Sequence, residues 1–179
     1  MAWEITKMAK KDEPFNFTML TVDTHHIGGY KCKLCKNKHD VQYENVLSYA
    51  SAQVYAFVKL IQRQDFYDNT TIVISGANPT MDNDYMENYY DGSKDRRVYN
   101  CFINSAIETS NNKNRKFTSM DMFPTTLAVL GVDIDGDRLG LGTNLYADKE
   151  TLAEEYGYEY IEQELSKNSK FYNKDILGE

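Results

Sequence analysis

The chain has no run of eighteen apolar residues, no basic surplus and little cysteine, and each shortage removes a class of function. A helix that crosses a bilayer needs about 20 consecutive apolar residues, so no segment reads as a membrane span. The opening residues 1–11 carry charges but no apolar core of a secretory leader. A net charge of −7 argues against a nucleic-acid backbone as the main partner, because phosphate binding needs clustered Lys and Arg. It argues equally against a polybasic patch for anionic lipid. Three cysteines are present, and only Cys32 and Cys35 form a Cys-x-x-Cys pair, within Lys31-Cys-Lys-Leu-Cys-Lys36. A structural zinc site wants four ligands, no second pair follows, and His39 is the one nearby candidate. Half a zinc site, a redox pair, a local disulfide and free thiols all stay open for these two. Cys101 reads as a small buried hydrophobe. No internal repeat or low-complexity tract is visible.

What is there fits an ordinary domain. At 179 residues, 41% hydrophobic and 26% charged, the chain can bury a core as one domain. Its fourteen tyrosines read as amphipathic filler at a core edge or interface, with carbohydrate or lipid stacking as the lesser option. Phe15 to Val22 is a candidate buried strand, followed by a loop rich in Gly, Lys and Cys from Thr24 to Asp40. Val46, Ala50, Val54, Phe57 and Ile61 recur every three to four residues, which predicts a long helix with one apolar stripe. Thr70 to Gly76 and Val98 to Asn104 are further strands, joined by a polar, tyrosine-rich loop from Asn78 to Arg97. Thr118 with Asp121 predicts a capping box opening a short helix that Gly131 closes. Asp148 is expected to cap a last helix reaching Leu165, with Leu152, Tyr156, Ile161 and Leu165 on one side. The order strand, helix, strand, strand, helix is a half-sheet of the α/β class, and its open edge invites pairing.

Just past the second strand the chain reads Ile74-Ser-Gly-Ala77-Asn78-Pro-Thr-Met-Asp82. In open α/β sheets this position, beyond a strand's carboxyl end, is where chemistry sits. Yet alanine can neither bind a cation nor move a proton, and asparagine offers only a neutral amide. The segment resembles the Ile-Ser-Gly-Asp-His-Pro-Thr-Met-Asp motif of the sulfatase-like phosphoglycerol transferases, the alkaline phosphatase superfamily group that includes lipoteichoic acid synthase. Three other stretches resemble the same family in the same order: Phe17-Thr-Met-Leu-Thr-Val-Asp23-Thr-His25-His26, Asp121-Met-Phe-Pro-Thr-Thr-Leu127 and Asp137-Arg-Leu-Gly-Leu-Gly-Thr-Asn-Leu145. The resemblance runs from about residue 13 to residue 146.

That resemblance implies an alkaline phosphatase-like three-layer α/β/α sandwich, of which this chain would hold the C-terminal portion only. Residues 1–12 would be an N-terminal extension, 13–147 the half-domain and 148–179 a C-terminal helix and tail. In the resembling enzymes a threonine attacks the phosphate of phosphatidylglycerol, and the glycerophosphoryl group passes to an acceptor hydroxyl. Manganese or another divalent cation assists there, held by that threonine, a glutamate and an Asp-His pair. The pair falls on Ala77 and Asn78, and the threonine and glutamate would lie upstream, so neither a catalytic residue nor a cofactor is expected in this chain. His25 matches a family histidine that holds the phosphoglycerol group, with His26 and Asp23 in support. Asp82 and Asp84 read as solvated loop acids, and Arg96 and Arg97 as ordinary ion-pairing residues or contacts for an anionic head group. Asp137-Arg138 is expected to staple the C-terminal loop to the sheet, with Gly140 and Gly142 at positive φ. The family implies a location on the outer face of a bacterial membrane, where a short-loop disulfide is the simplest state of Cys32 and Cys35. Expected partners are the N-terminal half of the same domain, a second copy through the open sheet edge, and an anionic glycerophosphate or glycan.

Overall fold

The computed structural model describes residues 2–11, 13–25, 27–92, 96–111 and 113–178, which divide into two compact units, Met1–Asn104 and Ser105–Glu179. Helical and strand elements are mixed in the first unit, and in the second a small hairpin accompanies three helices.

In the first unit, helix α1 (Ala2–Ala9) buries Ile5 and leaves Trp3 outside, with the Lys7 ammonium 5.0 Å from the indole centroid. Helix α2 (Gln42–Ile61) follows the predicted periodicity: Val46 and Ile61 are buried, and Ala50, Val54 and Phe57 are half-buried. No side chain at its N-cap, Val41, closes the first turn. Asn45, within that turn, binds the chain that leads into the helix. Its amide oxygen accepts the N–H groups of Lys38 and His39 at 2.6 and 2.9 Å. Its amide nitrogen donates to the carbonyls of His39 and Val41 at 2.7 and 3.0 Å. Every polar group of a buried amide is thereby matched, and the end of the Thr24–Asp40 loop is tied to the helix.

Strand β1 (Ile72–Ser75) pairs antiparallel with β2 (Asn100–Ile103), Ile72 opposite Ile103 and Ser75 opposite Asn100. Both strands lie within the predicted stretches, residues 70–76 and 98–104, but their apolar residues, Cys101 included, are half-buried rather than buried. Phe15 to Val22 is a correction. It forms no strand, and its apolar side chains are exposed, Leu20 at 77%. Alternating apolar residues become a strand only beside a hydrogen-bonding partner, and neither outer edge of the β1–β2 ribbon takes this segment up. A second correction falls in the Asn78–Arg97 stretch, which contains helix α3 (Asn83–Tyr89), opened by Asp82 as N-cap.

In the second unit, the predicted capping box is present: Thr118 and Asp121 bond reciprocally around a 3₁₀ turn, Ser119–Asp121, which leads into α4 (Met122–Val129). Gly131, at φ 88°, closes that helix as predicted. Strands β3 (Arg138–Leu139) and β4 (Gly142–Thr143) make a short antiparallel hairpin. The last helix begins later than Asp148. Thr151 and Glu154 form a second capping box at α5 (Leu152–Glu155), Gly157 at φ 81° breaks the path, and α6 (Tyr158–Leu165) follows. Leu152, Tyr156, Ile161 and Leu165 nevertheless converge, with Met120 and Leu141, around one apolar cleft.

Candidate functional site

Two loops of the first unit meet at the start of α2, and these loops carry the residues singled out from the sequence. Residues 23–30 form one. The Tyr30 N–H closes it on the Asp23 carbonyl at 2.7 Å, and the His25 N–H bonds the Val22 carbonyl at 3.0 Å. Gly29 is required here: at φ 64°, a Cβ would come within 2.8 Å of Val46 and 3.1 Å of the Asp23 carbonyl. The other loop, residues 76–82, leaves β1. Gly76 needs space rather than a positive φ, since a Cβ would stand 3.0 Å from Val98.

Two side chains join these loops. The buried Tyr43, from the first turn of α2, donates its hydroxyl to Thr80 Oγ1 at 2.7 Å and lies 3.2 Å from the Thr24 carbonyl. Asp82 is the second link and overturns its reading as a solvated acid. It is 4% exposed, and its carboxylate accepts the Gly28 N–H at 2.6 Å and the Tyr85 N–H at 2.9 Å. These backbone N–H groups, Tyr85 first, hold its pKa below the usual carboxylate value. One side chain therefore caps α3 and fastens the 23–30 loop. Asp84 is exposed, as read from the sequence.

On this frame His25, Ala77 and Asn78 are exposed and Asp23 is half-buried, while His26 lies outside the described residues. Asn78 turns its amide nitrogen onto the Pro79 carbonyl at 2.8 Å, and Ala77 supplies no donor atom. Arg96, exposed, donates its guanidinium to the Thr80 carbonyl, which places a cation beside the 76–82 loop. Sequence reasoning left Arg96 undecided and missed Tyr43 and Asn45, because nothing local marks a helix residue that bonds distant loops. Among the described residues no group of three or more His, Cys, Asp or Glu side chains is placed to hold a metal ion.

The two later motifs do different work. Asp121, 2% exposed, accepts the Thr143 N–H at 2.7 Å and the Thr118 N–H at 2.8 Å. Thr125 Oγ1 donates to the Asp121 carbonyl at 2.6 Å and accepts the Leu145 N–H at 3.0 Å. Residues 121–127 and 142–145 are thus one knitted structural piece. Arg138 reaches Thr143 Oγ1 at 3.2 Å and the Glu150 carbonyl at 2.9 Å, so it staples the hairpin to the segment entering α5. Gly140 has the expected positive φ, whereas Gly142 does not; a Cβ there would stand 2.0 Å from the Met120 carbonyl oxygen. A separate open groove of about 640 Å³ is lined by Lys116, Tyr156, Tyr158, Glu159, Tyr160 and Gln163, with the Tyr156 and Tyr160 rings 5.4 Å apart.

The chain is 28% identical over 148 residues to phosphoglycerol transferase I of Escherichia coli strain 55989 and of Shigella boydii serotype 18, and 26% identical to that of Escherichia fergusonii. The alignment covers 79% of this chain and 19% of each of those proteins, so the chain spans about a fifth of the curated relatives it matches. No family model matches the chain. No solved structure matches it either. No helix among the described residues is long and apolar enough to cross a membrane. The shared stretch supports a phosphoglycerol transferase-like relationship for this chain.

Proposed function

We propose that this chain is the C-terminal part of a phosphoglycerol transferase-like domain of the three-layer α/β/α kind, on the outer face of a bacterial membrane. In this reading it keeps the loop that faces an anionic glycerophosphate but lacks the metal-binding pair, and is inactive alone. The observation that carries the reading is the junction itself: Tyr43 and Asp82 hold the 23–30 and 76–82 loops together. A phosphoryl oxygen at this junction would meet the His25 imidazole and the Arg96 guanidinium, both able to donate charge-assisted hydrogen bonds. Asp23 and His26 would support that loop. The pair of positions 77 and 78 is a poor cation site, because Ala77 has no ligand atom and Asn78 offers one neutral carbonyl oxygen in place of two charged or strongly basic ligands.

Two titrations test this. Glycerol phosphate should bind the unaltered chain, and His25→Ala should weaken binding by about tenfold, the worth of one charge-assisted bond. Binding that survives both His25→Ala and Arg96→Ala would place the ligand elsewhere and sink the reading. Separately, manganese should leave the melting temperature of the unaltered chain where it is. Ala77→Asp with Asn78→His, assayed together with the N-terminal half that supplies the threonine and glutamate, should restore a response, about 2.7 kcal/mol at a hundred times the dissociation constant. A manganese shift in the unaltered chain would contradict the loss of the metal pair.

A second reading, a glycan-binding or assembly module, is favoured by the tyrosine-lined groove of the second unit. Sugar rings stack on such faces while Lys116, Glu159 and Gln163 offer polar partners. Loss of oligosaccharide binding in Tyr156→Ala and Tyr160→Ala, with glycerol phosphate binding unchanged, would mark this surface as the functional one.

A further inference from the structure

Between the His25 loop and α2 the chain makes a tight turn in which the Cys35 N–H bonds the Cys32 carbonyl at 3.1 Å. The turn brings the two free thiols to a Sγ–Sγ separation of 3.3 Å, and both residues are half-buried rather than sealed. A disulfide needs about 2.05 Å, so a small rotation of either side chain suffices to close it. The two sulfurs are not equivalent. The thiol of Cys35, the N–H groups of Leu34 and Cys35 and the Tyr49 hydroxyl of α2 all favour a thiolate at Cys32 and hold its pKa below the ordinary thiol value. Cys35 is pushed the other way, first by burial and then by Cys32 itself, with the Asp23 carboxylate adding to the effect. A turn that holds two accessible sulfurs in contact, with the thiolate favoured at one and disfavoured at the other, divides the two tasks of thiol–disulfide exchange.

We propose that Cys32 and Cys35 form a thiol–disulfide exchange site for small organic disulfides, with Cys32 attacking and Cys35 resolving. The Cys32 thiolate attacks one sulfur of the disulfide, whose S–S bond breaks, and the departing thiolate takes up a proton. Cys35 then loses its proton and attacks the Cys32 sulfur. The mixed disulfide breaks, a second thiol leaves, and Cys32 and Cys35 are joined. The chain has lost two electrons and two protons, and the small disulfide has gained both as two thiols. Exchange here is independent of the proposed glycerophosphate binding, although the Asp23 carboxylate is shared between the two surroundings.

Glutathione disulfide is the probe, applied to the full chain near neutral pH. The free thiol count should fall from three to one, peptide mapping should join residues 32 and 35, and dithiothreitol should reverse the change. In Cys35→Ser the reaction should stop at a mixed disulfide on Cys32, because serine keeps a donor to that sulfur but cannot resolve it. In Cys32→Ser, modification of Cys35 should be slower by about tenfold. Equal rates in the two variants would overturn the assignment of roles. A disulfide involving Cys101, or three thiols persisting in the unaltered chain, would overturn the site. Circular dichroism of each variant, together with repetition in a Cys101→Ser background, separates loss of fold from loss of chemistry.

Discussion

Glu154 is the most strongly perturbed acid among the described residues, and its surroundings explain why. Arg115 grips both carboxylate oxygens at 2.8 Å, and the N–H groups of Thr151 and Lys116 add bonds at 2.9 and 3.1 Å. The Arg115 bonds, opposed by burial and aided by these N–H groups, lower its pKa from the usual 4.5 to about 2. A depressed carboxylate stabilises the fold fully above its unfolded pKa and loses that contribution as pH falls through its folded one. The contribution is on the order of 3 kcal/mol at neutral pH. Urea midpoints taken at descending pH should therefore fall between about 4.5 and about 2 in the unaltered chain. Glu154→Gln should flatten that slope. Asp82 obeys the same sign, since its pKa is also lowered. Asp82→Ala should cost about 1–3 kcal/mol by orphaning the Gly28 and Tyr85 N–H groups. It should also speed hydrogen exchange at the Gly28 amide; unchanged exchange there would refute the fastening role. Glu154 did not stand out in the sequence and Asp82 read as solvated, because burial of a carboxylate depends on which backbone N–H groups the fold brings to it.

Two glycines of the β3–β4 hairpin separate conformational demand from spatial demand. Gly140 sits at φ 61° with open space around it, so Gly140→Ala should cost about 1 kcal/mol of backbone strain. Gly142 lies in ordinary backbone territory, but its missing Cβ leaves room for the Met120 carbonyl. Gly142→Ala must displace backbone and should cost several times more, about 3–5 kcal/mol. Similar losses in both variants would sink the distinction. Elements that rest on local chemistry were legible in advance. Helix α2 announces itself by periodicity, β1 by its β-branched run, and α4 by a capping box whose partners are three residues apart. Helix α3 was not, since its interior reads Asn-Asp-Tyr-Met-Glu-Asn-Tyr, without an apolar stripe, and depends on its buried cap. The start at Thr151 was overlooked for a subtler reason. Two capping candidates, Asp148 and Thr151, compete three residues apart, and the Glu154 side chain returning to the Thr151 N–H decides between them.

At the scale of the whole molecule, Phe15, Phe17, Met19, Leu20 and Val22 are exposed, and the two-stranded β1–β2 ribbon has two outer edges. Unpaired edges and exposed apolar runs favour association with another chain. Sedimentation at rising concentration should therefore give an increasing mass, and Leu20→Lys with Val22→Lys should return the chain to monomer. A monomer at all concentrations would remove the second copy from the set of partners. The sequence by itself determined what contiguous residues can settle: the helices and strands with strong periodicity, the absence of a membrane-spanning helix, the capping box at Thr118, and the order of motifs that points to phosphoglycerol transferases. Tertiary structure alone decided which residues meet. It left Phe15–Val22 without a strand partner, buried Asp82 between two loops, seated Tyr43 across them and drew Arg96 to the Thr80 carbonyl. The reason is that propensity and capping act over a few neighbours, whereas pairing, burial and hydrogen bonding are settled between segments tens of residues apart.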